Sequence, residues 1–106
     1  MPFDASPQTD TVADVLRRAR ALIDSPEKWC KGALYRDGAR CVWGALDGIR
    51  TGEPTPFRKA EAGATYITRA IGGRNIASWN NAPERTHAEV LAAFDRAIKL
   101  AERGGR

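Results

Sequence analysis

Thr86-His87-Ala88-Glu89-Val90-Leu91-Ala92-Ala93-Phe94-Asp95-Arg96-Ala97-Ile98-Lys99-Leu100-Ala101 decides how this chain folds. Thr86 followed three residues later by Glu89 has the form of a capping box, which satisfies two of the amides that a helix start leaves unpaired. Val90, Leu91, Phe94, Ala97, Ile98 and Ala101 then recur at the i, i+3, i+4, i+7 spacing of one helix face. Gly104-Gly105 closes the segment with residues that tolerate a left-handed cap.

The same pattern reappears upstream. Thr11 and Asp14 form a second capping box before Val12, Val15, Leu16, Ala19, Leu22 and Ile23, and Asp24-Ser25-Pro26 stops that helix. Val42, Ala45, Leu46 and Ile49 predict a further helix from Cys41. Gly44 and Gly48 interrupt it four residues apart, so both lie on one face. Each costs about 1 kcal/mol relative to Ala in a helix interior, which predicts close approach of another element there. Thr55-Pro56 opens another helix as N-cap and first residue, Phe57, Ala60, Ala64, Ile67 and Ile71 continue it, and Gly72-Gly73 ends it. Arg74 to Pro83 reads as a connector anchored by Ile76 and Trp79.

Between Glu27 and Arg40 the helical period fails. Asp37-Gly38 is a two-residue hairpin signal that would set Arg36 opposite Ala39 and Leu34 opposite Cys41. In that register Cys30 lies beyond any strand partner of Cys41, which argues against a disulfide. The expected fold is mainly α: a compact four-helix single domain over residues 11–103, with a short irregular or β-hairpin insertion between helices 1 and 2. Residues 1–10 and 104–106 are expected to be flexible ends.

Size and composition narrow the function. A chain of 106 residues, 42% hydrophobic and 28% charged, is too short for a dinucleotide-binding fold or a (β/α)₈ barrel. No apolar run approaches membrane-spanning length. The first ten residues carry neither the basic nor the apolar region of a secretory signal, which predicts a cytoplasmic chain with reduced thiols. Phosphate-loop and dinucleotide glycine motifs are absent, and no cofactor is expected. Cys30, Cys41 and His87 are the only soft ligands, at a spacing foreign to structural zinc sites, so no metal is expected.

Three functional readings remain. Trp29, Tyr35 and Trp43 lie off the two clean helical stripes, and with Arg40 and Arg74 they suggest a face that binds a protein partner. Trp79 is the aromatic expected in the core. A thiol enzyme is the alternative: Cys41 before a helix start, His87 as base and Asn80, or Asn81, to orient the ring. The formal net charge of +4 raises nucleic-acid binding through Arg17, Arg18, Arg20 and Arg74, although these arginines are scattered among acids rather than gathered on one face.

Trp29-Cys30-Lys31-Gly32-Ala33-Leu34, Gly38-Ala39-Arg40-Cys41-Val42-Trp43-Gly44-Ala45-Leu46 and Trp79-Asn80-Asn81-Ala82-Pro83-Glu84-Arg85-Thr86-His87-Ala88-Glu89-Val90-Leu91 together resemble a family of small bacterial and phage proteins catalogued as domain of unknown function 6197. The resemblance runs from Val12 to Ala101. The family pattern commonly has Asp where Asn81 stands here. The resemblance implies a phage-like genomic setting and a regulator or inhibitor of host systems, and brings no mechanism.

Overall fold

The computed structural model describes residues 11–52 and 57–104. Five helices carry most of them: α1 (Val12–Leu22), α2 (Val42–Gly52), α3 (Phe57–Ala70), α4 (Ile76–Asn81) and α5 (His87–Gly104). A 3-10 turn at Pro26–Lys28 and a hairpin of β1 (Tyr35–Arg36) and β2 (Ala39–Arg40) fill the stretch between α1 and α2. The mainly helical architecture with a hairpin insertion is the one the periodicity predicts. One element differs: the connector between α3 and α5 coils into the six-residue α4, with the Asn75 side chain accepting the Ser78 amide at its start. Six residues are too few for a period of 3.6 to declare itself.

Both capping boxes form. Thr11 Oγ1 accepts the Asp14 amide and the Asp14 carboxylate accepts the Thr11 amide, at 3.1 and 3.2 Å. Thr86 and Glu89 repeat the exchange at 3.2 and 2.9 Å. The backbone amide of Thr11 holds the Asp14 carboxyl below its ordinary range, and that of Thr86 does the same to Glu89. A carboxyl whose folded pKa is depressed stabilises the fold above its unfolded pKa, and that stability is lost as the pH falls through the folded value. The urea midpoint is therefore expected to fall as the pH drops below about 4. Circular dichroism should show a shallower fall for the Asp14→Asn/Glu89→Gln double variant. The Thr55-Pro56 start expected for α3 lies outside the described residues. At the other end of α3, Gly73 donates to the Thr68 carbonyl and Gly72 to that of Arg69, at 2.8 and 3.2 Å, closing the helix in a Schellman motif.

α1 and α3 both pack along α5, and α2 closes the group against α1 and α3. Leu16, Ile23, Leu46, Ile67, Val90 and Phe94 are fully buried where these helices meet, and Ile76 and Trp79 of α4 extend the same cluster. Trp79 is thus a core residue, as expected. Along the outside of the α1–α5 contact, Arg17 pairs with Asp14 and Glu102, and Arg20 lies 2.9 Å from Asp95. Exposed pairs of this kind contribute little to stability. Among the described residues no helix is long and apolar enough to cross a membrane.

Candidate functional site

The hairpin forms in the predicted register, Arg36 opposite Ala39 and Tyr35 opposite Arg40, with the Cys41 amide donating to the Leu34 carbonyl at 3.3 Å. Asp37 and Gly38 adopt φ values of +50° and +87°, the two left-handed positions of a type I′ turn. An isolated two-stranded hairpin is marginal in water, so something else must hold this one.

Two anchors do so. The first is Gly44. A Cβ at this position would stand 1.9 Å from the Leu34 carbonyl oxygen, so the hairpin backbone lies directly against α2 where only hydrogen fits. The close approach predicted from the paired glycines is therefore made by Leu34. At Gly48 the neighbours are side chains instead, with the Arg40 guanidinium and Leu22 nearest.

The second anchor is Asn80, the buried polar residue at the end of α4, 1% exposed. Its Oδ1 accepts from Trp29 Nε1 at 2.7 Å and from the Val42 amide at 3.2 Å. Its Nδ2 donates to the Cys30 carbonyl at 3.1 Å and to Asn81 Oδ1 at 2.9 Å. All four hydrogen-bonding positions of the side-chain amide are used. Asn81 Oδ1 also takes the Gly32 amide at 2.8 Å, and Lys31 Nζ donates to the carbonyls of Ala82 and Pro83. The turn at residues 80–83 thus ties the 29–32 segment to the first residue of α2.

These contacts place the residues expected for thiol chemistry. Cys41 is buried at the start of α2, where its sulfur accepts the Gly44 amide at 3.4 Å. His87 Nε2 lies 2.7 Å from the Ile23 carbonyl, an acceptor only, so that nitrogen carries the proton; the ring packs 6.1 Å from the Trp29 ring. Asn80 is engaged as described. Asn80 and His87 both meet Trp29, Cys41 lies at the start of α2, and the hydrogen bonds of the three run to other groups rather than to one another. Both cysteines are free. The expectation that Cys30 lies away from Cys41 needs amending although the hairpin register is right. Trp29 forms a parallel bridge with Arg40, on the edge of β2 opposite β1, and the Cys30 amide donates to the Arg40 carbonyl at 3.1 Å. Burial pushes the Cys30 thiol above its ordinary pKa, the nearby Cys41 adds to the rise, and Arg36 offsets part of it. Among the described residues no three His, Cys, Asp or Glu side chains converge as a metal-binding set.

The residues expected for binding divide. Trp29 turns inward to Asn80 and His87 and is half-buried. Arg74 belongs to the α3–α4 loop, where it lines a hollow with Ser78, Trp79 and Arg85. Tyr35 and Arg40 stand opposite each other on the hairpin, Trp43 lies at the start of α2, and beside Tyr35 stands a residue outside the predicted set, Leu34. Leu34 is 58% exposed, Tyr35 60% and Trp43 39%, and among the described residues these are the large hydrophobics left open. The Arg40 guanidinium stacks 5.1 Å from the Tyr35 ring and donates to the Gly44 carbonyl. The only advance signal for Leu34 was its place beside Tyr35 next to a turn, where alternation would ordinarily hide one of two neighbours.

No curated protein and no solved structure matches the chain. A family model does, over residues 7–100. That span includes the hairpin, the Asn80 anchor and all five helices except the last turn of α5, so the chain belongs to the family of unknown function DUF6197.

Proposed function

We propose that the chain is an interaction module that binds a macromolecular partner through the face formed by Leu34, Tyr35 and Trp43. The observation that carries this reading is their joint exposure, where the other large apolar side chains among the described residues are buried or half-buried. Exposed apolar residues scattered singly need no explanation, whereas three within ten positions, two on the anchored hairpin segment and one at the start of α2, form a patch. Tyr and Trp beside Arg are also the residue types that dominate binding energy at interfaces. The face is held by hydrogen bonds and backbone packing rather than by its own side chains, so these remain free to contact a partner. In such a role the chain works by occupancy, as a regulator or inhibitor does.

Nucleic-acid binding through Arg17 and Arg20 gains less support, because both guanidiniums meet carboxylates within the fold. The experiment is site-specific photocrosslinking in the native cells. The photoreactive residue p-benzoylphenylalanine at position 35 is expected to give a discrete adduct of higher mass. The same residue at exposed Thr65 on α3 is expected to give none.

A further inference from the structure

We infer that the partner supplies an extended, acidic polypeptide segment that adds as a strand to the open edge of β1. This rests on the binding face proposed above and states which chemistry it receives.

Backbone geometry gives the first argument. Leu34 accepts from Cys41, and Arg36 pairs with Ala39, so the Leu34 carbonyl and the Arg36 amide face β2. In an antiparallel ladder the residue between them directs its amide and carbonyl away from the partner strand. That residue is Tyr35. The far edge of β2 is already covered, because Trp29 and Cys30 lie along it. Among the described residues no element pairs with the outer edge of β1, and both its residues are exposed. An extended polypeptide supplies the donor and acceptor that such an edge lacks, and a nucleic acid does not supply them in that repeat.

Charge gives the second. From Lys31 to Trp43 there are three cations, Lys31, Arg36 and Arg40, and one acid, Asp37 at the hairpin tip. Arg17, Arg20, Lys28 and Arg85 each meet a carboxylate. Lys31, Arg36 and Arg40 instead meet carbonyl oxygens and aromatic rings: Lys31 those of Ala82, Pro83 and Trp29, Arg36 that of Lys31, and Arg40 those of Gly44 and Tyr35. Among the described residues none of the three is neutralised by an acid. A carboxylate on the incoming strand would complete Arg36 on one side of β1, while apolar residues on the strand's other side cover Tyr35. The alternation of side chains along a strand allows one segment to do both.

The test is an NMR titration of the ¹⁵N-labelled full chain with an acetylated, amidated octapeptide of alternating Glu and Val. Saturable shifts are expected at the Tyr35 and Arg36 amides, with the Tyr35 amide protected from exchange and affinity falling as salt rises. The Arg36→Glu variant, altered at an exposed position, is expected to bind about tenfold more weakly. So is a peptide N-methylated along its pairing edge. Three results overturn the inference: no saturation up to about 1 mM peptide, equal binding of a Lys-Val octapeptide, or shifts with a thymidine oligonucleotide and none with the peptide. A crosslink from position 35 that persists when the Glu-Val peptide fails would leave the binding face standing and remove strand addition alone.

Discussion

Replacing Asn80 with Leu is expected to destabilise the domain by about 4 kcal/mol, the sum of several buried groups each left without a partner at about 1–3 kcal/mol. Leu fills nearly the same volume, so the loss arises from hydrogen bonding rather than from a cavity. The Val42 amide loses the acceptor that caps the first turn of α2, Trp29 Nε1 loses its acceptor, and the Cys30 carbonyl loses a donor. Against a domain stability of about 5–15 kcal/mol this is a large fraction. Urea unfolding followed by circular dichroism measures it. Asn81 is exposed and shares only the Gly32 amide and the Asn80 amide group, so Asn81→Ala is expected to cost about 1 kcal/mol. Equal losses for the two variants would mean that Asn80 is not the anchor described.

Gly44→Ala is expected to reverse the usual sign of a glycine replacement. In an ordinary helix interior the change stabilises by about 1 kcal/mol. Here the added Cβ would stand 1.9 Å from the Leu34 carbonyl oxygen and 2.8 Å from its carbon, and both are backbone atoms. The hairpin must move away from α2, at an overpacking cost of about 3 kcal/mol. Gly48 is the control. Its nearest neighbours are the end of the Arg40 side chain at 2.8 Å and Leu22 Cδ1 at 3.0 Å, both able to swing aside. Gly48→Ala is therefore expected to change stability by less than about 1 kcal/mol. The urea midpoints of the two variants, together with amide exchange at Tyr35 and Arg36, separate a displaced hairpin from a general loss of stability.

Much of this fold was readable from residue spacing because its causes are local. Thr11 with Asp14, and Thr86 with Glu89, lie within one turn of each other, so their reciprocal hydrogen bonds follow from sequence alone. Asp37-Gly38 fixes its own turn type through the left-handed conformation both residues adopt. The paired glycines of α2 announced a close neighbour but could not name it, because Leu34 reaches Gly44 through the tertiary fold. From its sequence position Asn80 reads as an orienting residue for His87, whereas its partners lie across the fold at Trp29, Cys30 and Val42. A polar side chain carries no periodic signal of burial, so its role as an anchor became visible only in three dimensions.

The candidate face was half legible. Tyr35, Trp43 and Arg40 stand out in the sequence because they fall off the helical stripes. Trp29 shares that position off the stripes, but its indole hydrogen bond to Asn80 draws it inward. Arg74 belongs to a separate hollow beside Trp79 and Arg85. Leu34 reads as an ordinary strand residue. The neighbouring positions Leu34 and Tyr35 are both exposed because β1 is only two residues long and lies over α2 through the Leu34 carbonyl rather than through a side-chain face.

The proposed function requires that the anchored hairpin and the adjoining first turn of α2 present Leu34, Tyr35 and Trp43 to a partner. The yield of photocrosslinked adduct from position 35, set beside that from position 65, tests it most directly. A discrete adduct at 35 alone, lost when Leu34 and Trp43 are both changed to Ser in a chain that still folds, is the predicted result. No adduct at 35, or the same adducts from both positions, would contradict it.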